Sequence, residues 1–210
     1  MTWINEGRHA AEFLVSEGNG RISRETATIT GGNFDAGTVL GKITIGAATA
    51  ALDAGATGNG TFSEVIVGAG AVAGVYTLQA TSATKFRLED PAGVLVGTVT
   101  VGTEFSKGGL TFTITAGGTA FAVGDQATIT VAAGSGKYTG FDPDATDGSH
   151  VAVAVLFDNA RAASADVRGV IVARLAEVKA AELVWPAGIT DAQKTAALAS
   201  LAAVNIIART

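Results

Sequence analysis

Hydrophobic and polar residues alternate with a period of two through much of the chain. The clearest case is residues 110–115, where Leu110, Phe112 and Ile114 fall on one face and three threonines on the other. Because side chains alternate between the two faces of a sheet, this pattern predicts a half-buried strand. Similar patterns predict strands over residues 61–67, 75–80, 85–89, 94–101 and 126–131.

Turn signals separate these strands, at Asp90-Pro-Ala-Gly93, Gly108-Gly109 and Gly117-Gly118. Several short strands at a spacing of about 8–12 residues, with no helical period, favour a small antiparallel sandwich or barrel. The sequence therefore predicts an all-β domain over residues 47–136.

The parts of the chain on either side of this block mix structural classes. Residues 22–30 and 39–45 alternate as strands do, and the apolar runs at 150–157 and 169–174 are typical of buried strands. Residues 164–167 predict a short helical turn.

The last twenty residues predict a helix followed by a strand. Thr190 and Gln193 form a capping-box pattern, and Ala197, Leu201 and Val204 then repeat at helical spacing. Asn205 can adopt the left-handed conformation that ends a helix, and residues 206–209 would return as a strand. The predicted fold is thus an α+β base domain over residues 21–46 and 137–210, with mixed β structure and one main C-terminal helix. It carries the inserted all-β sandwich or barrel-like domain.

The first twenty residues differ from the rest of the chain in composition. They are polar and punctuated by glycine, with one apolar cluster at residues 13–15. Such termini are usually mobile until another surface holds them. We therefore predict a separate N-terminal arm over residues 1–20.

Composition and charge exclude several classes of function. Charged residues make up 16% of the chain and hydrophobic residues 48%, which fits a protein that hides part of its surface in an assembly. The net charge of −5 argues against nucleic acid as a partner, because phosphate neutralisation needs clustered Lys and Arg. The absence of cysteine excludes disulfides, thiolate metal sites and thiol nucleophiles.

No targeting or membrane segment is evident. The first residues lack the basic and apolar regions of a signal peptide. The strongest apolar run, residues 151–157, is far shorter than the roughly 20 residues of a membrane helix. We expect a soluble protein that is made inside a cell and has no membrane partner.

No sequence pattern in the chain matches a known metal or cofactor site. In Asp142-Pro-Asp-Ala-Thr-Asp-Gly148 the third aspartate is one residue late for a calcium loop, and Val153 stands where the bidentate glutamate is needed. The glycine-rich residues 68–74 are followed by a strand pattern, whereas a dinucleotide loop is followed by a helix. His9 and His150 have no partner at zinc-ligand spacing. We expect no metal and no cofactor.

Catalytic residues are equally hard to assemble. The chain has no G-x-S-x-G motif. An enzyme that acts on polysaccharide would need a carboxylate pair across a cleft, and nothing pairs the candidates Glu89, Asp90 and Glu104. Trp185 beside Pro186 fits a packing contact better than a ligand platform. We therefore expect a protein that is not an enzyme.

Six short sequence phrases occur in a fixed order: Glu12-Phe-Leu-Val-Ser-Glu17, Ala36-Gly-Thr-Val-Leu-Gly41, Tyr138-Thr-Gly-Phe-Asp-Pro143, Ala154-Val-Leu-Phe-Asp-Asn159, Asp166-Val-Arg168 and Trp185-Pro-Ala-Gly-Ile-Thr190. Together they resemble the head decoration proteins of lambda-type tailed bacteriophages. The resemblance covers residues 10–46 and 137–209.

The resemblance implies a homotrimer that binds the major capsid protein at local three-fold sites on the outside of an expanded head. It also implies synthesis in the host cytoplasm and an N-terminal segment that is disordered in isolation and ordered on the shell. The residues that the resemblance assigns to this capsid-binding arm are Glu12, Phe13, Leu14, Val15, Ser16, Arg21, Ile22, Ser23 and Arg24.

The block 47–136 is absent from the minimal members of the family. Its ends should lie close together, as domain insertion favours. Three roles remain open for this block: it could be a spacer, a module that binds sugars, or a neutral addition without a function of its own. Carbohydrate is therefore a possible partner. The alternative for the whole chain is an extracellular or virion-surface glycan-binding adhesion protein rich in β structure.

Overall fold

The computed structural model describes residues 7–209, which contain nineteen strands, one long helix and two short helical turns. In chain order the elements are β1 Leu14–Glu17, α1 Gly20–Ser23, β2 Arg24–Ile29, β3 Asn33–Phe34, β4 Val39–Lys42, β5 Ile45–Leu52, β6 Thr61–Phe62, β7 Ile66–Val67, β8 Gly74–Ser82, β9 Lys85–Glu89, β10 Leu95–Thr100, β11 Glu104–Lys107, β12 Leu110–Thr115, β13 Gln126–Ala133, β14 Tyr138–Gly140, β15 Ala152–Leu156, β16 Ala160–Arg161, β17 Val167–Val172, β18 Ala176–Lys179, a 3-10 turn Ala180–Glu182, α2 Asp191–Ala203 and β19 Ile206–Arg209. The chain is mostly strand with one main C-terminal helix, which agrees with the predicted mixture of α and β structure.

The chain forms two compact units. Within the described residues, the base unit consists of residues 7–43 and 136–209, and the inserted unit is Thr44–Ser135. The two ends of the inserted unit are adjacent, because the Gly134 amide donates to the Thr44 carbonyl at 2.9 Å. That each unit folds independently stays a prediction.

The base unit is built around a closed barrel with the strand order β14-β2-β17-β15-β4. Strands β2 and β17 pair antiparallel along their whole length, from Arg24 opposite Val172 to Ile29 opposite Val167. A three-stranded sheet, β1-β18-β19, and a short pair, β16-β3, complete the unit.

The C-terminal helix packs one face against the core of the base unit. Thr190 and Gln193 make both hydrogen bonds of the capping box at its start. Ala197 and Leu201 are buried, and Asn205, with φ 61°, turns the chain into β19. The predictions of the helix, its cap, its left-handed end and the final strand are confirmed.

The inserted unit has a five-stranded antiparallel sheet, β10-β9-β8-β13-β5, and a second sheet in which β12 pairs with β11, β6 and β7. Side chains from both sheets share one hydrophobic core, among them Leu78, Phe86, Ile129, Phe112 and Ile114. The alternation seen in the sequence therefore identifies the buried face of β12 correctly.

Glycine is required at the hairpin between β11 and β12. Gly108 and Gly109 have φ of 61° and 74°, the backbone that a two-residue turn of the primed type needs. A Cβ on Gly109 would also lie 2.1 Å from the Ala71 nitrogen. Both the backbone conformation and the close approach exclude larger residues there.

Asp125 fixes the loops at one end of the inserted unit. Its carboxylate accepts hydrogen bonds from the backbone amides of Thr57, Gly58 and Ala122, each at 2.9 Å. These amides, that of Thr57 first, hold the pKa of Asp125 below its ordinary value because they stabilise the charged form.

Several predicted boundaries differ from the structure. Residues 22–30 begin with the single helical turn α1, because the Asn19 side chain accepts from the Arg21 amide at 3.0 Å and caps it. The strand predicted over residues 39–45 ends at Lys42, and residues 61–67 form two short strands. Residues 164–167 bend into β17 without a helical turn. Strands β5, β11, β14 and β18 are among those that were not predicted. Half of the residues of β5 are alanines, which occur on both faces, so the two faces differ little in hydrophobicity.

Candidate functional site

The N-terminal segment is folded onto the base unit. Phe13 is only 1% exposed and packs with Val178 and Leu201, while its carbonyl accepts from the Lys179 amide at 2.7 Å. Leu14 pairs with Val178 across β1 and β18. In this structure β1, α1 and β2 all belong to the base unit, and the separate capsid-binding arm over residues 1–20 stays a prediction. Residues 1–6 of the predicted arm lie outside the described residues.

A polar cluster holds the segment in place. The Ser23 hydroxyl donates to Glu17 Oε2 at 2.6 Å, and Arg24 Nε donates to the same oxygen at 2.9 Å. The Arg24 guanidinium also lies 3.9 Å from the centroid of the Phe157 ring. The hydrogen bond from Arg24 holds the pKa of Glu17 below its ordinary value, although burial acts in the opposite direction. These hydrogen bonds from Ser23 and Arg24 to Glu17 thus connect the end of β1 to the residues at the end of α1.

Five of the predicted site residues are exposed, and three of these, Val15, Arg21 and Ile22, make no side-chain hydrogen bond within the described residues. Val15 is 50% exposed and Ile22 is 52% exposed, and Arg21 is exposed on the same helical turn as Ile22. Val15 lies in a β-bulge, since the pairing of β1 with β18 passes from Leu14 directly to Ser16. A bulge on an edge strand disrupts the ladder and redirects a side chain. If Val15 contacts a partner protein, we therefore expect its side chain to make the contact, and not its backbone by strand pairing.

Leu175, which the sequence analysis missed, joins these residues. Its carbonyl accepts from the Gly18 amide at 2.8 Å, and a methyl group at Gly18 would lie 3.5 Å from Leu175 Cβ. Its neighbour Arg174 donates to the Ile22 carbonyl at 2.9 Å. We call Val15, Arg21, Ile22 and Leu175 the N-terminal surface.

The backbone of Leu175 is strained. Its φ is 52°, a left-handed conformation that costs a non-glycine residue about 1–2 kcal/mol. The side chain is 45% exposed, so burial within the base unit offsets only part of this cost. Strain at an exposed apolar residue is characteristic of a functional position. Nothing in the local sequence distinguishes Leu175 from the apolar residues around it.

The remaining predicted residues make contacts within the base unit. Glu12 Oε2 accepts from the His9 amide at 3.3 Å. The Ser16 hydroxyl donates to Glu177 at 2.8 Å, and Glu177 also pairs with Arg209. The structure therefore divides the predicted arm into residues that hold the segment and residues that face outward. The capsid-binding role of all nine stays a prediction.

The base unit also has an apolar groove of about 490 Å³, lined in part by Phe34, Phe141, Trp185 and Pro186. The Trp185 ring meets Phe141 edge-on, with centroids 6.3 Å apart, so it serves as a packing residue. Asp35 at the rim is paired with Arg161 at 2.9 Å. The Thr38 hydroxyl, which also lines the groove, donates to the Asp35 carbonyl at 2.7 Å.

The aspartates of residues 142–148 stabilise their own turn. Asp142 accepts from the Asp144 amide at 3.0 Å, and Asp147 accepts from the Ser149 amide at 2.9 Å. Within residues 7–209 no group of three His, Cys, Asp or Glu side chains could hold a metal ion. None of the helices in that part of the chain has the length and hydropathy needed to span a membrane.

A family description, that of bacteriophage lambda head decoration protein D, matches residues 3–206, which includes both units. The chain belongs to this family. Its members are structural proteins of the phage head that bind the capsid, so the family is not one of enzymes and its place is the virion capsid. The resemblance seen in the sequence is therefore confirmed, and the comparisons give no support to the adhesion-protein alternative.

Other comparisons add little. No curated protein matches the chain. Two crystal forms of the FlgL protein of Xanthomonas campestris are similar to 48% of the chain, with 25% and 26% identity and a TM-score of 0.35 in both cases. The flagellar hook junction protein FlgK of Burkholderia pseudomallei is similar to 58% of the chain, with 24% identity and a TM-score of 0.34. The chain spans 34%, 33% and 21% of these structures, and scores this low support no argument about function.

Proposed function

We propose that this decoration protein is a homotrimer that binds the outside of the expanded head at local three-fold sites, and that its N-terminal surface contacts the major capsid protein. The observation that carries the proposal is the N-terminal surface itself. It places two exposed apolar side chains, Val15 and Ile22, and the exposed Arg21 on the segment for which the family resemblance implies capsid binding, and it adds the exposed Leu175 from the loop between β17 and β18.

Burial of the N-terminal surface supplies the binding energy. Full burial of a Val, Leu or Ile side chain is worth about 1.5–3 kcal/mol. Because Val15, Ile22 and Leu175 are already about half buried, each would contribute on the order of 1 kcal/mol more. One subunit would thus bind weakly, and three subunits on one rigid trimer would raise the avidity by about 10²–10⁴.

The folded state of the segment strengthens this mechanism. Ordering a free chain costs about 1–2 kcal/mol per residue. Here Phe13 and the cluster of Glu17, Ser23 and Arg24 already hold residues 13–24 in place. Preorganisation of this kind improves affinity because less conformational entropy is lost on binding. A trimer that binds the expanded lattice and not its precursor then stabilises the expanded form by mass action.

The experiment uses phage heads that lack the decoration protein. Removal of residues 2–20 would also take Phe13 from the core, so point substitutions test the surface more cleanly. The double variant Ile22→Glu, Leu175→Glu should lose at least about 100-fold in affinity for heads, because two charges replace apolar contacts. Occupancy is measured by quantitative gel analysis of sedimented heads.

The matched control is Val123→Glu, which puts the same charge on a valine of the inserted unit that is 76% exposed. It should decorate heads as the parent chain does. Light scattering should give three times the chain mass of 20.9 kDa for all three proteins. Full decoration by the double variant would show that the N-terminal surface is not the capsid contact, and a monomeric mass for the parent chain would contradict the trimer.

A further inference from the structure

The outer face of the five-stranded sheet in the inserted unit contains a polar recess of about 290 Å³. Six polar residues line it: Thr77 and Gln79 on β8, Arg87 and Glu89 on β9, and Gln126 and Thr128 on β13. Their sequence neighbours Leu78, Leu88 and Ala127 are buried in the core, so by alternation these six side chains face outward.

Strand register brings the six residues together. Gln79 lies opposite Gln126 on one side and Arg87 on the other, and Thr77 lies opposite Thr128 and Glu89 in the same way. Thr77 and Thr128 are short, whereas the four residues around them are long. The two threonines therefore form the base of the recess, and the longer polar side chains of Gln79, Gln126, Arg87 and Glu89 form its sides.

Hydrogen-bonding groups in the recess are not used within the chain. The side chains of Gln79, Gln126, Thr77 and Thr128 form no hydrogen bond with another described residue. Each glutamine amide offers two donors and an acceptor, and each threonine hydroxyl offers one donor and two acceptor positions. The chain has three glutamines, and two of them stand opposite each other here.

Charge in the recess is balanced. Arg87 pairs with Glu89 at 2.6 Å, two residues apart on the same strand. An anionic ligand would find one arginine that is already neutralised, and a cation would find one glutamate in the same condition. An apolar ligand would leave the four uncommitted polar side chains without partners. The ligand that matches is uncharged and rich in hydroxyl groups.

We propose that this recess binds a neutral saccharide, with the two glutamine amides and the Arg87–Glu89 pair hydrogen-bonded to ring hydroxyls. Its volume is at the small end of the about 300–1,000 Å³ typical of ligand sites, which fits one or two sugar rings. A small polar ligand in an open recess binds weakly, so a dissociation constant on the order of millimolar is expected for one site. Several copies on one virion raise the effective affinity.

The site is independent of the N-terminal surface, so its test does not require heads. Labelled full-length protein is applied to an array that carries neutral oligosaccharides, including maltotriose and chitotriose, beside sialylated and sulfated ones. At least one neutral glycan should bind, and its affinity is then measured by titration calorimetry. The double variant Gln79→Ala, Gln126→Ala should lose at least about tenfold, and it should fold normally because both side chains are exposed.

The control is Thr49→Ala, Thr100→Ala, which alters two exposed positions of the same sheet outside the recess. It should bind as the parent chain does. An array with no neutral glycan bound overturns the proposal, as does binding that is confined to anionic glycans. Equal affinity in the glutamine variant and the parent chain would also overturn it, because the sugar would then lie elsewhere.

Discussion

At Leu175 a leucine occupies a backbone conformation that favours glycine, with φ of 52°. The left-handed region costs alanine and leucine alike, and glycine adopts it freely. We predict that Leu175→Gly is more stable than Leu175→Ala by about 1 kcal/mol, the reverse of the usual order in regular structure. Chemical denaturation followed by the signal of the base unit measures the difference. Equal stabilities would show that the backbone relaxes at this position.

Glu17 makes the stability of the base unit depend on pH in the acidic range. Its pKa in the folded chain lies below the ordinary 4.5, so its stabilising contribution is complete above pH 4.5 and is lost as the pH falls through the lower folded value. We predict that Glu17→Gln lowers the free energy of unfolding at pH 7 and has a smaller effect near pH 3. Denaturation over that pH range measures the trend.

Glu12→Gln is the control for Glu17→Gln, since Glu12 is exposed on the same segment and its carboxylate accepts a hydrogen bond from the His9 backbone amide. It should change stability little at either pH. If Glu17→Gln lowered stability equally at pH 7 and pH 3, the charge of Glu17 would not be its stabilising feature.

At the scale of single elements, the capping box determines where α2 begins. The Thr190 hydroxyl accepts from the Gln193 amide at 3.2 Å, and the Gln193 side chain accepts from the Thr190 amide at 2.9 Å. Loss of an N-cap side chain typically costs about 1 kcal/mol. We predict this loss for Thr190→Ala, measured by denaturation followed by helical circular dichroism.

Thr195→Ala provides the comparison within the same helix. The Thr195 hydroxyl is exposed and donates back to the Asp191 carbonyl at 2.8 Å, a contact that does not favour the helix. Because alanine is the better helix former, Thr195→Ala should be neutral or slightly stabilising. A loss as large as that of Thr190→Ala would mean that helix interior contacts, and not the cap, set the stability of α2.

At the scale of the whole molecule, the chain passes between the two units twice, at residues 43–44 and again at residues 135–136. The Thr44 carbonyl and the Gly134 amide are 2.9 Å apart, so a tight turn can replace everything between them. We predict that a chain with residues 45–133 replaced by Asn-Gly folds as the base unit alone and still decorates heads. Circular dichroism and the head-binding assay measure the two properties.

The outcomes of this excision are separable. A folded chain that fails to decorate would assign capsid contacts to the inserted unit. A chain that does not fold would show that the inserted unit supports the base unit and is not an independent domain. Retained binding would leave the inserted unit free for another role, such as the saccharide site.

Local patterns were enough for much of this structure. The period of two at Leu110, Phe112 and Ile114 and the capping box at Thr190 involve residues within one element, so the sequence reveals them directly. The order of short family phrases likewise identified the family that the comparison confirms. In contrast, the end of β4 at Lys42 depends on pairing with the distant strands β14 and β15, so the strand predicted over residues 39–45 was too long.

The sequence by itself determined the class of this protein: a chain with mostly alternating strands, a capped C-terminal helix and the phrases of a head decoration protein. Only the tertiary structure decided that Phe13 is a core residue and that Leu175 lies against Gly18 of the N-terminal segment. The physical reason is the separation along the sequence of the residues that interact. Strand alternation and helix caps are set by neighbours a few residues away, whereas burial of Phe13 depends on Val178 and Leu201, more than 150 residues later in the chain.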